Sequence, residues 1–593
     1  MSETKNLPAW DLSDLYKGIK DPQIEKDLQN FKKDNLAFAK KYKGKLADLT
    51  SEEFFKLLKK YEEMGEKSSQ LMIFASLNMC TQMKNGEAMA FYQDVSEKLT
   101  EYSKPCVFLS LELNKLSDEK LKQFLKNKKV AFYKPWLERV RRFKKYELSE
   151  ELEELLLEKS MTSSSAWIRL YEESSSRLTY TVDGKKYNDA EISKLLLDKD
   201  AKLREKAGKE INRVSKENAP LYTFIYNMII KDKATEDGKR GFKKPISERN
   251  LSENVEDKVV DALADSVRSK YAEISHRFYK LKAKWLGVDK IQYWDRNAPL
   301  PFAQDTKYSW DESVNIVLKA YKEFSPKLHQ QAEDFFSKNW IDVPPRDGKR
   351  SGAFAQSTPK HPYLMLNFVG KQNDVLTLAH ELGHGCHMRL SQKQGSLNDD
   401  MPLTLAEVAS VFGEMVTFQS LLRQTKDDKA KLCLIAGKVS DMINTALRQI
   451  SFHFFETRAH DERKKGELSS ERLCQIWLEE MRRCLGDSVI VDEDSAYIWL
   501  QVGHFFFLPF YVYAYSFADC LVNSLYQVYQ EGQIKDFADK YLDMLSQTSV
   551  KRYDQLLKPF GLDAKNPEFW YKGLSLISGY IDELERLDKK LKL

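Results

Sequence analysis

The chain has 593 residues, of which 42% are apolar, so it is long enough to bury several hydrophobic cores. Its 94 Lys and Arg almost balance its 89 Asp and Glu. A net charge of +5 on so long a chain excludes a nucleic-acid-binding protein that relies on a strongly basic surface. Glycine and proline are scarce, at 24 and 17 residues, which favours a mainly α-helical fold.

The cellular setting follows from the cysteines and from the absence of long apolar runs. The seven cysteines are odd in number and form no CxxC pair, which indicates reduced thiols. Residues 1–10 contain no apolar targeting segment, and no run of 18 apolar residues occurs anywhere. We therefore expect a cytoplasmic protein with no membrane span and no nucleic-acid partner.

The N-terminal part of the chain is predicted to be helical. Residues 12–160 are dominated by charged amphipathic patterns, of which residues 52–66 are one example. Farther along, Asp183-Gly184 lies between β-forming residues in the segment 177–187, which predicts a small hairpin. This hairpin is a natural boundary, so we expect an N-terminal helical region at residues 1–190 and a second domain at residues 191–593.

A second hairpin is predicted in the middle of the chain. Two short β-like runs lie at residues 353–356 and 363–368, and the six residues between them include two prolines. An apolar helical pattern begins near residue 374. The sequence therefore predicts a β-hairpin directly before a largely buried helix.

That helix carries an H-E-x-x-H motif formed by His380, Glu381 and His384. Residues four apart lie one above the other on a helix, so both imidazoles can reach one metal ion. Glu381 lies about 100° around the helix, where it can hydrogen-bond a water molecule on that metal. These residues are typical of a Zn²⁺ site that activates water beside a general base. A surface helix with two solvated histidines is the alternative, and the apolar neighbours argue against it.

Three residues beside the motif have open interpretations. Gly383 and Gly385 indicate either close approach by a backbone or substrate, or tight helix packing. His387 falls near the same side of the helix as His384. A fourth protein ligand would close the metal site to water, so we expect His387 to support or pack behind the ligands.

The third metal ligand is predicted in residues 402–416, which have the pattern of one apolar helix. Glu407 and Glu414 lie seven residues apart and therefore share one face of that helix. Acids inside an apolar helix are costly unless they are paired or bound to metal. We predict Glu407 as the third ligand and Glu414 as an acceptor that orients a ligand imidazole. A simple ion pair remains the alternative for Glu414.

Two stretches together resemble a known family: His-Glu-Leu-Gly-His-Gly-Cys-His at 380–387 and Glu-Val-Ala-Ser-Val-Phe-Gly-Glu at 407–414. They resemble the M3 zinc metallopeptidases and are most similar to the oligoendopeptidase F branch. The resemblance covers about residues 200–580, with a weaker oligoendopeptidase F N-terminal-like part at about 110–180. It implies Glu407 as zinc ligand and a two-lobed helical body that encloses a deep channel for short peptides.

The resemblance also implies roles for residues outside the motif. His504 and Tyr511 match a His and a Tyr, seven residues apart, that stabilise the oxyanion in this family. Tyr515 lies one helical turn after Tyr511 and is a further candidate, whereas Tyr513 points to the opposite side. The segment Gly352-Ala353-Phe354 is expected to bind peptide substrates as an edge strand, although the sequence alone indicates only an ordinary hairpin.

The expected function is a zinc oligoendopeptidase with one Zn²⁺ per chain, which hydrolyses internal bonds of short unstructured peptides with Glu381 as general base. Two alternatives stay open. A dipeptidyl carboxypeptidase or metallocarboxypeptidase on a similar helical scaffold would need a cation for the C-terminal carboxylate of the peptide. A non-catalytic peptide-binding protein would keep the metal for structure only. The sequence does not indicate the oligomeric state.

Overall fold

A computed structural model describes residues 7–160, 162–304 and 306–593 of the chain. The described residues are mainly α-helical, and their seven short strands form three small sheets. The mainly α fold class predicted from the sequence is therefore confirmed. Side-chain caps fix many helix starts: Thr50 and Glu53 form a reciprocal capping box at one helix, and Ser309 and Glu312 form another.

The helices and strands are numbered in chain order. The first α-helices are α1 Pro22–Tyr42, α2 Ser51–Cys80, α3 Gly86–Ser103, α4 Phe108–Lys115, α5 Asp118–Leu125, α6 Lys128–Ala131, α7 Lys134–Arg141, α8 Glu150–Ser160, α9 Ser164–Ser176, α10 Asp189–Leu195, α11 Ala201–Arg240, α12 Ser247–Ser252, α13 Asp257–Ser269 and α14 Arg277–Leu286. The others are α15 Trp310–Phe324, α16 Pro326–Ser337, α17 Gln372–Ser391, α18 Leu403–Ala406, α19 Val408–Gln424, α20 Asp428–Met442, α21 Arg448–Arg463, α22 Ser470–Leu485, α23 His504–Phe507, α24 Tyr513–Glu531, α25 Phe537–Leu545, α26 Tyr553–Leu557 and α27 Pro567–Leu591. The strands are β1 Tyr180–Val182, β2 Lys185–Tyr187, β3 Ile291–Gln292, β4 Ile341–Asp342, β5 Phe354–Gln356, β6 Tyr363–Met365 and β7 Val489–Ile490.

The chain packs as two compact units, each assembled from separated segments. The first unit comprises Met1–Lys145, Asp305–Leu421 and Lys535–Pro559, and the second comprises Tyr146–Gln304, Leu422–Ile534 and Phe560–Leu593. In the first unit, α1, α2 and α3 pack on one another, and α15, α16 and α17 form a second group. In the second unit, α27 packs on α20 and α24, and α21 packs on α22.

The three-stranded sheet of the first unit lies against α17. Its strand order is β4-β6-β5, with β4 parallel and β5 antiparallel to the central strand β6. The antiparallel register pairs Phe354 with Met365 and Gln356 with Tyr363, so the hairpin predicted before the motif helix is confirmed. Strand β4 comes from outside the predicted hairpin and makes the sheet three-stranded, which leaves β5 at its edge.

The hairpin predicted in the second unit is also confirmed. Strands β1 and β2 pair antiparallel, with Val182 opposite Lys185. The two turn residues Asp183 and Gly184 have φ angles of 51° and 77°. Positive φ at both central positions is the conformation that a two-residue hairpin turn requires, and the Asp-Gly pair adopts it at low cost.

One segment of the described chain is long and apolar enough to cross a membrane by length and composition alone. It runs from Leu403 to Gln424, and 72% of its most apolar stretch is buried inside the protein. A core helix of a folded domain passes the same test. This segment also contains Glu407 and Glu414, the two acids predicted near the metal.

Candidate active site

The motif helix α17 is fixed in the first unit by its apolar face. Val375, Leu378, Ala379 and Leu382 are fully buried, and the helix packs against β5, β6, α15 and α16. Because these residues recur at helical spacing, burying them sets the rotation of the helix about its axis. The same rotation presents the motif imidazoles on the side of the helix that meets α18 and α19.

Two glycines allow the helices that carry the ligands to approach closely. A Cβ atom on Gly383 would lie 2.5 Å from the carbonyl oxygen of Ala409, and one on Gly413 would lie 3.1 Å from the carbonyl oxygen of Ala379 and would clash with the hydroxyl of Tyr321 on α15. That hydroxyl donates a 2.6 Å hydrogen bond to the carbonyl of Ala379. At Gly383 the structure therefore shows close approach by another backbone, that of Ala409, where two helices pack together. Gly385 is explained by tight packing, because its Cβ would meet the ring of Phe335 at 2.6 Å.

The predicted ligands His380, His384 and Glu407 converge in the structure. The Nε2 atoms of both histidines lie 3.2 Å from Oε2 of Glu407. One donor atom from each residue can be chosen so that all three lie within 4.8 Å of one another. The described residues contain no other cluster of three His, Cys, Asp or Glu side chains that meets this criterion.

These donors fit a zinc ion in both spacing and chemistry. With bonds of about 2.0–2.1 Å in a tetrahedral site, two ligand atoms are separated by about 3.3–3.4 Å. The separation of 3.2 Å from each imidazole nitrogen to the Glu407 oxygen agrees with that value. Two imidazoles and one carboxylate are also the ligand set of many hydrolytic zinc sites, in which a fourth position is left for water or substrate. The residues present therefore fit the metal.

The helix that carries Glu407 differs from the prediction. Residues 402–416 do not form one continuous helix, because α18 ends at Ala406 and α19 begins at Val408. Glu407 lies at the turn between them, with φ of −82° and ψ of −2°. Its carboxylate accepts a 2.8 Å hydrogen bond from the hydroxyl of Ser410. Ser410 was not predicted to be a partner of Glu407, although it lies only three residues later.

Glu414 lies behind the ligand imidazole. Its Oε2 atom is 3.4 Å from Nδ1 of His380, whereas Nε2 of that ring faces Glu407. Burial would lower the pKa of His380, but the hydrogen bonds to Glu407 and Glu414 prevail and raise it to about 10. Burial would likewise raise the pKa of Glu407, but hydrogen bonds from both histidines hold it well below its usual value. Glu407 is therefore ionised in this cluster.

Glu381 is buried beside the ligands without being one of them. It is 6% exposed, and its Oε2 atom has no hydrogen-bonding partner among the described residues. Burial raises the pKa of Glu381, although the charges of His380 and His384 oppose that shift. A buried carboxylate oxygen that is not already engaged can accept a proton from a water molecule.

His387 takes no part in the ligand cluster. It is 1% exposed, and its Nε2 atom lies 2.7 Å from the hydroxyl of Thr548. Burial lowers the pKa of His387 to about 3, so the ring is neutral. It is a packed histidine, whose partner Thr548 belongs to the segment Lys535–Pro559 of the same unit.

In the second unit, His504, Tyr511 and Tyr515 form a cluster. The Tyr511 ring stacks on His504 with centroids 5.3 Å apart, and the Tyr515 ring meets Tyr511 edge-on at 5.0 Å. The Tyr515 hydroxyl lies 3.4 Å from Nε2 of His504. Burial lowers the pKa of His504, which favours its neutral form. Tyr513 is fully buried in the core instead.

The backbone around this cluster also differs from the prediction. The sequence predicts Tyr511 and Tyr515 on one face of a continuous helix, which the structure does not have. Tyr511 lies in the turn between α23 and α24, and only Tyr515 belongs to α24. The two rings still meet because the turn brings Tyr511 back beside the first turn of α24.

The predicted substrate segment 352–354 lies at the start of the edge strand β5. Gly352 has φ of 80°, and its carbonyl accepts a 2.8 Å hydrogen bond from the side chain of Asn367. The Phe354 ring lies 5.6 Å from the guanidinium of Arg350. An edge strand has one side on which an extended peptide can add main-chain hydrogen bonds.

The family comparisons agree with this geometry. The family described as "Peptidase family M3" matches residues 194–576, and the one described as "Oligopeptidase F" matches residues 112–180. Oligopeptidase PepF of Bacillus subtilis (strain 168) is 26% identical and aligns over 100% of this chain and 89% of the relative. The oligoendopeptidase F homolog of Lactococcus lactis subsp. lactis (strain IL1403) is 25% identical over 98% of this chain and 97% of the relative.

A solved structure shows the same fold. Oligoendopeptidase-F from Enterococcus faecium matches with a TM-score of 0.72 at 19% identity, and the match covers 95% of this chain and 99% of that one. The M3 family match spans more than half of the sequence and contains the motif helix, Glu407 and the His504 cluster. The chain therefore belongs to peptidase family M3 and is a metallopeptidase.

Proposed function

We propose that this protein is a zinc-dependent oligoendopeptidase that hydrolyses internal bonds of short, unstructured peptides. The observation that carries the proposal is the convergence of His380, His384 and Glu407, with the buried carboxylate of Glu381 beside them. Zinc is proposed as the metal because two imidazoles and one carboxylate suit it and leave a position open. The names of the relatives support oligopeptide substrates.

In this proposal, His380, His384 and Glu407 hold one zinc ion per chain. When bound, zinc acidifies a water molecule and polarises the scissile carbonyl. Glu414 fixes the orientation of His380 through Nδ1, and Ser410 fixes the carboxylate of Glu407. These hydrogen bonds hold the ligand atoms in place before substrate arrives.

Glu381 acts as the general base. Its Oε2 atom takes a proton from the attacking water and delivers it to the nitrogen of the leaving amine. The raised pKa that follows from burial suits the first step, because a carboxylate that binds its proton more tightly is the stronger base.

His504 and Tyr511 are proposed to donate hydrogen bonds to the oxyanion that develops from the scissile carbonyl, with Tyr515 as a further donor. The family resemblance supports these roles, and the contacts among the three rings support a shared one. Gly352, Ala353 and Phe354 are proposed to bind the substrate backbone, since β5 lies at a sheet edge.

The remaining expectations are also proposals. We place the protein in the cytoplasm, and we assign residues 1–190 to an N-terminal region and residues 191–593 to the catalytic domain. The family matches at 112–180 and 194–576 support that division. It describes family domains, whereas the two packing units each combine separated segments.

The test is the cleavage of an internally quenched peptide that is blocked at both ends, read by mass spectrometry. We expect cleavage at internal bonds, loss of activity with a chelator, and recovery with zinc. Glu381→Gln should keep one zinc per chain and lose at least about 10³-fold in kcat, because its amide cannot accept the proton. Wild-type turnover by this variant would refute the mechanism. Release of dipeptides only from unblocked peptides would instead indicate a carboxypeptidase.

A further inference from the structure

The turn before Tyr511 has a strained backbone. Phe510 has φ of 60°, a left-handed conformation that is unfavourable for a residue with a bulky side chain. The N–H of Tyr511 donates to the carbonyl of Leu508 at 3.2 Å, and the N–H of Ala514 donates to the carbonyl of Tyr511 at 2.9 Å. The direction of the Tyr511 side chain therefore depends on the conformation held at Phe510.

Contacts from two helices of the second unit hold this turn. The N–H of Phe510 donates a 2.7 Å hydrogen bond to Oε1 of Glu456 on α21. The Phe510 ring is 1% exposed and packs on His460, with ring centroids 4.5 Å apart. From α12, Nε of Arg249 donates to the carbonyl of Pro509 at 3.3 Å. The strained residue thus has its ring, its N–H and the preceding carbonyl all engaged.

Burying the carboxyl group of Glu456 at this position costs folding free energy. It is fully buried, and its Oε2 atom has no hydrogen-bonding partner among the described residues. Burial raises the pKa of Glu456 to about 8, although the Phe510 N–H and the charges of Arg249 and Lys233 oppose the shift. An apolar side chain would fill the same volume without that cost. The hydrogen bond to Phe510 is what an apolar residue could not supply.

We propose that Glu456 is a positioning residue for catalysis: it holds the left-handed turn at Phe510 and thereby aims the Tyr511 phenol. The inference rests on the proposed function, because Glu456 can affect catalysis in this way only when Tyr511 is an oxyanion donor. Loss of the acceptor leaves a buried N–H unpaired and removes a restraint on the strained residue. The phenol then moves, and stabilisation of the transition state is lost more than binding of the peptide.

The test is a double-mutant cycle that combines Glu456 variants with Tyr511→Phe. Glu456→Leu, which has no acceptor, should lower kcat by about 10–100-fold and leave KM within about threefold, since one oxyanion donor contributes about 10²–10³-fold. Glu456→Gln keeps a carbonyl oxygen for the Phe510 N–H and should stay within about threefold of wild type. In the Tyr511→Phe background, Glu456→Leu should cost less than about twofold, because its target has gone.

Two further variants guard against a general loss of structure. If Glu456→Leu does not fold, Arg249→Leu removes the other polar contact to the turn and should lower kcat by about 3–10-fold, again without further effect beside Tyr511→Phe. Glu480→Leu is the matched control. Glu480 is a buried acid on α22 that pairs with Arg268 and Arg458 rather than with the turn. Any loss of kcat that it causes should be equal in both backgrounds.

The outcomes separate this inference from the proposed function. If Glu456→Leu or Arg249→Leu lowers kcat by the same factor with and without the Tyr511 hydroxyl, Glu456 supports only the fold and the inference is wrong. If Tyr511→Phe alone keeps the wild-type kcat, the proposed role of Tyr511 is wrong and the role of Glu456 falls with it. The Glu381→Gln result is independent of both.

Discussion

At the scale of single residues, acids largely withdrawn from water occupy the positions proposed to be functional in this protein. Burial makes an ionised carboxylate costly at Glu381 and Glu456, whereas hydrogen bonds from two imidazoles keep Glu407 ionised. The sequence identified Glu381 through the H-E-x-x-H motif and Glu407 as an acid within an apolar helical pattern. It did not identify Glu456, because no local pattern connects that residue with Phe510, which lies 54 positions away.

The burial of Glu456 predicts a pH-dependent contribution to stability. Its pKa is raised from an ordinary 4.5 to about 8, so the folded state prefers the protonated form. As the pH rises from about 4.5 to about 8, the unfolded chain loses this proton while the folded chain keeps it, and stability is lost. Glu456→Gln cannot ionise. The free energy of unfolding of this variant, relative to that of wild type, should therefore rise by on the order of 3 kcal/mol between pH 5 and pH 8.

The measurement is the Tm of wild type and Glu456→Gln at several pH values from 5 to 8. The Tm of the variant minus that of wild type should increase by several degrees from pH 5 to pH 8 and be largest at pH 8. A difference in Tm that is the same at pH 5 and pH 8 would show that Glu456 ionises normally in the folded protein.

At the scale of elements, the crossing of α17 with the α18–α19 segment brings the three proposed metal ligands together. Helical spacing alone predicted both elements and the two imidazoles on one face. It did not predict the break at Glu407, and it left close backbone approach at Gly383 as one of two interpretations, without identifying Ala409 as the partner. Both features depend on what packs against the helices, including the hydroxyl of Tyr321 from α15.

Gly383→Ala should disturb this crossing. The new methyl group would lie 2.5 Å from the carbonyl oxygen of Ala409, so the helices must separate. We expect a destabilisation of about 1–3 kcal/mol and an at least tenfold weaker zinc affinity, since misplaced ligands bind metal about 10–100-fold more weakly.

The matched control is Gly437→Ala on α20, where nothing lies within 4 Å of the new methyl group. This helical position should be stabilised by up to about 1 kcal/mol. Thermal unfolding and zinc titration of both variants make the comparison. Equal zinc affinity in the Gly383 variant and wild type would mean that the crossing does not hold the ligands in place.

At the scale of the whole molecule, the two packing units are each built from separated segments, and the three proposed metal ligands all belong to the first unit. Metal should therefore stabilise the folded protein through that unit. Zinc at about 100 times its Kd contributes about 2.7 kcal/mol, provided that the unfolded chain does not bind it. A chelator should lower the Tm by several degrees.

Two histidines on the same helix supply the test of this prediction and its control. His384→Gln removes a proposed ligand and should abolish the effect of zinc on Tm. His387→Gln removes a buried contact to Thr548 and should lower the Tm, yet keep the response to zinc. If His384→Gln still responds to zinc, or if His387→Gln does not, the ligand assignment is wrong.

The sequence by itself determined the features that depend on local geometry. These are the mainly helical fold, the two hairpins, and the pair of imidazoles, which are set by the helical period and by turn chemistry. Glu407 could also be predicted from the sequence, because an acid in an apolar helix needs a partner. Family resemblance added His504 and Tyr511. The tertiary structure alone decided the helix break at Glu407, the helix crossing at Gly383, and the contact of Glu456 with Phe510. Each of these depends on residues that are distant in sequence and meet only when the helices pack, so the local sequence pattern does not predict it.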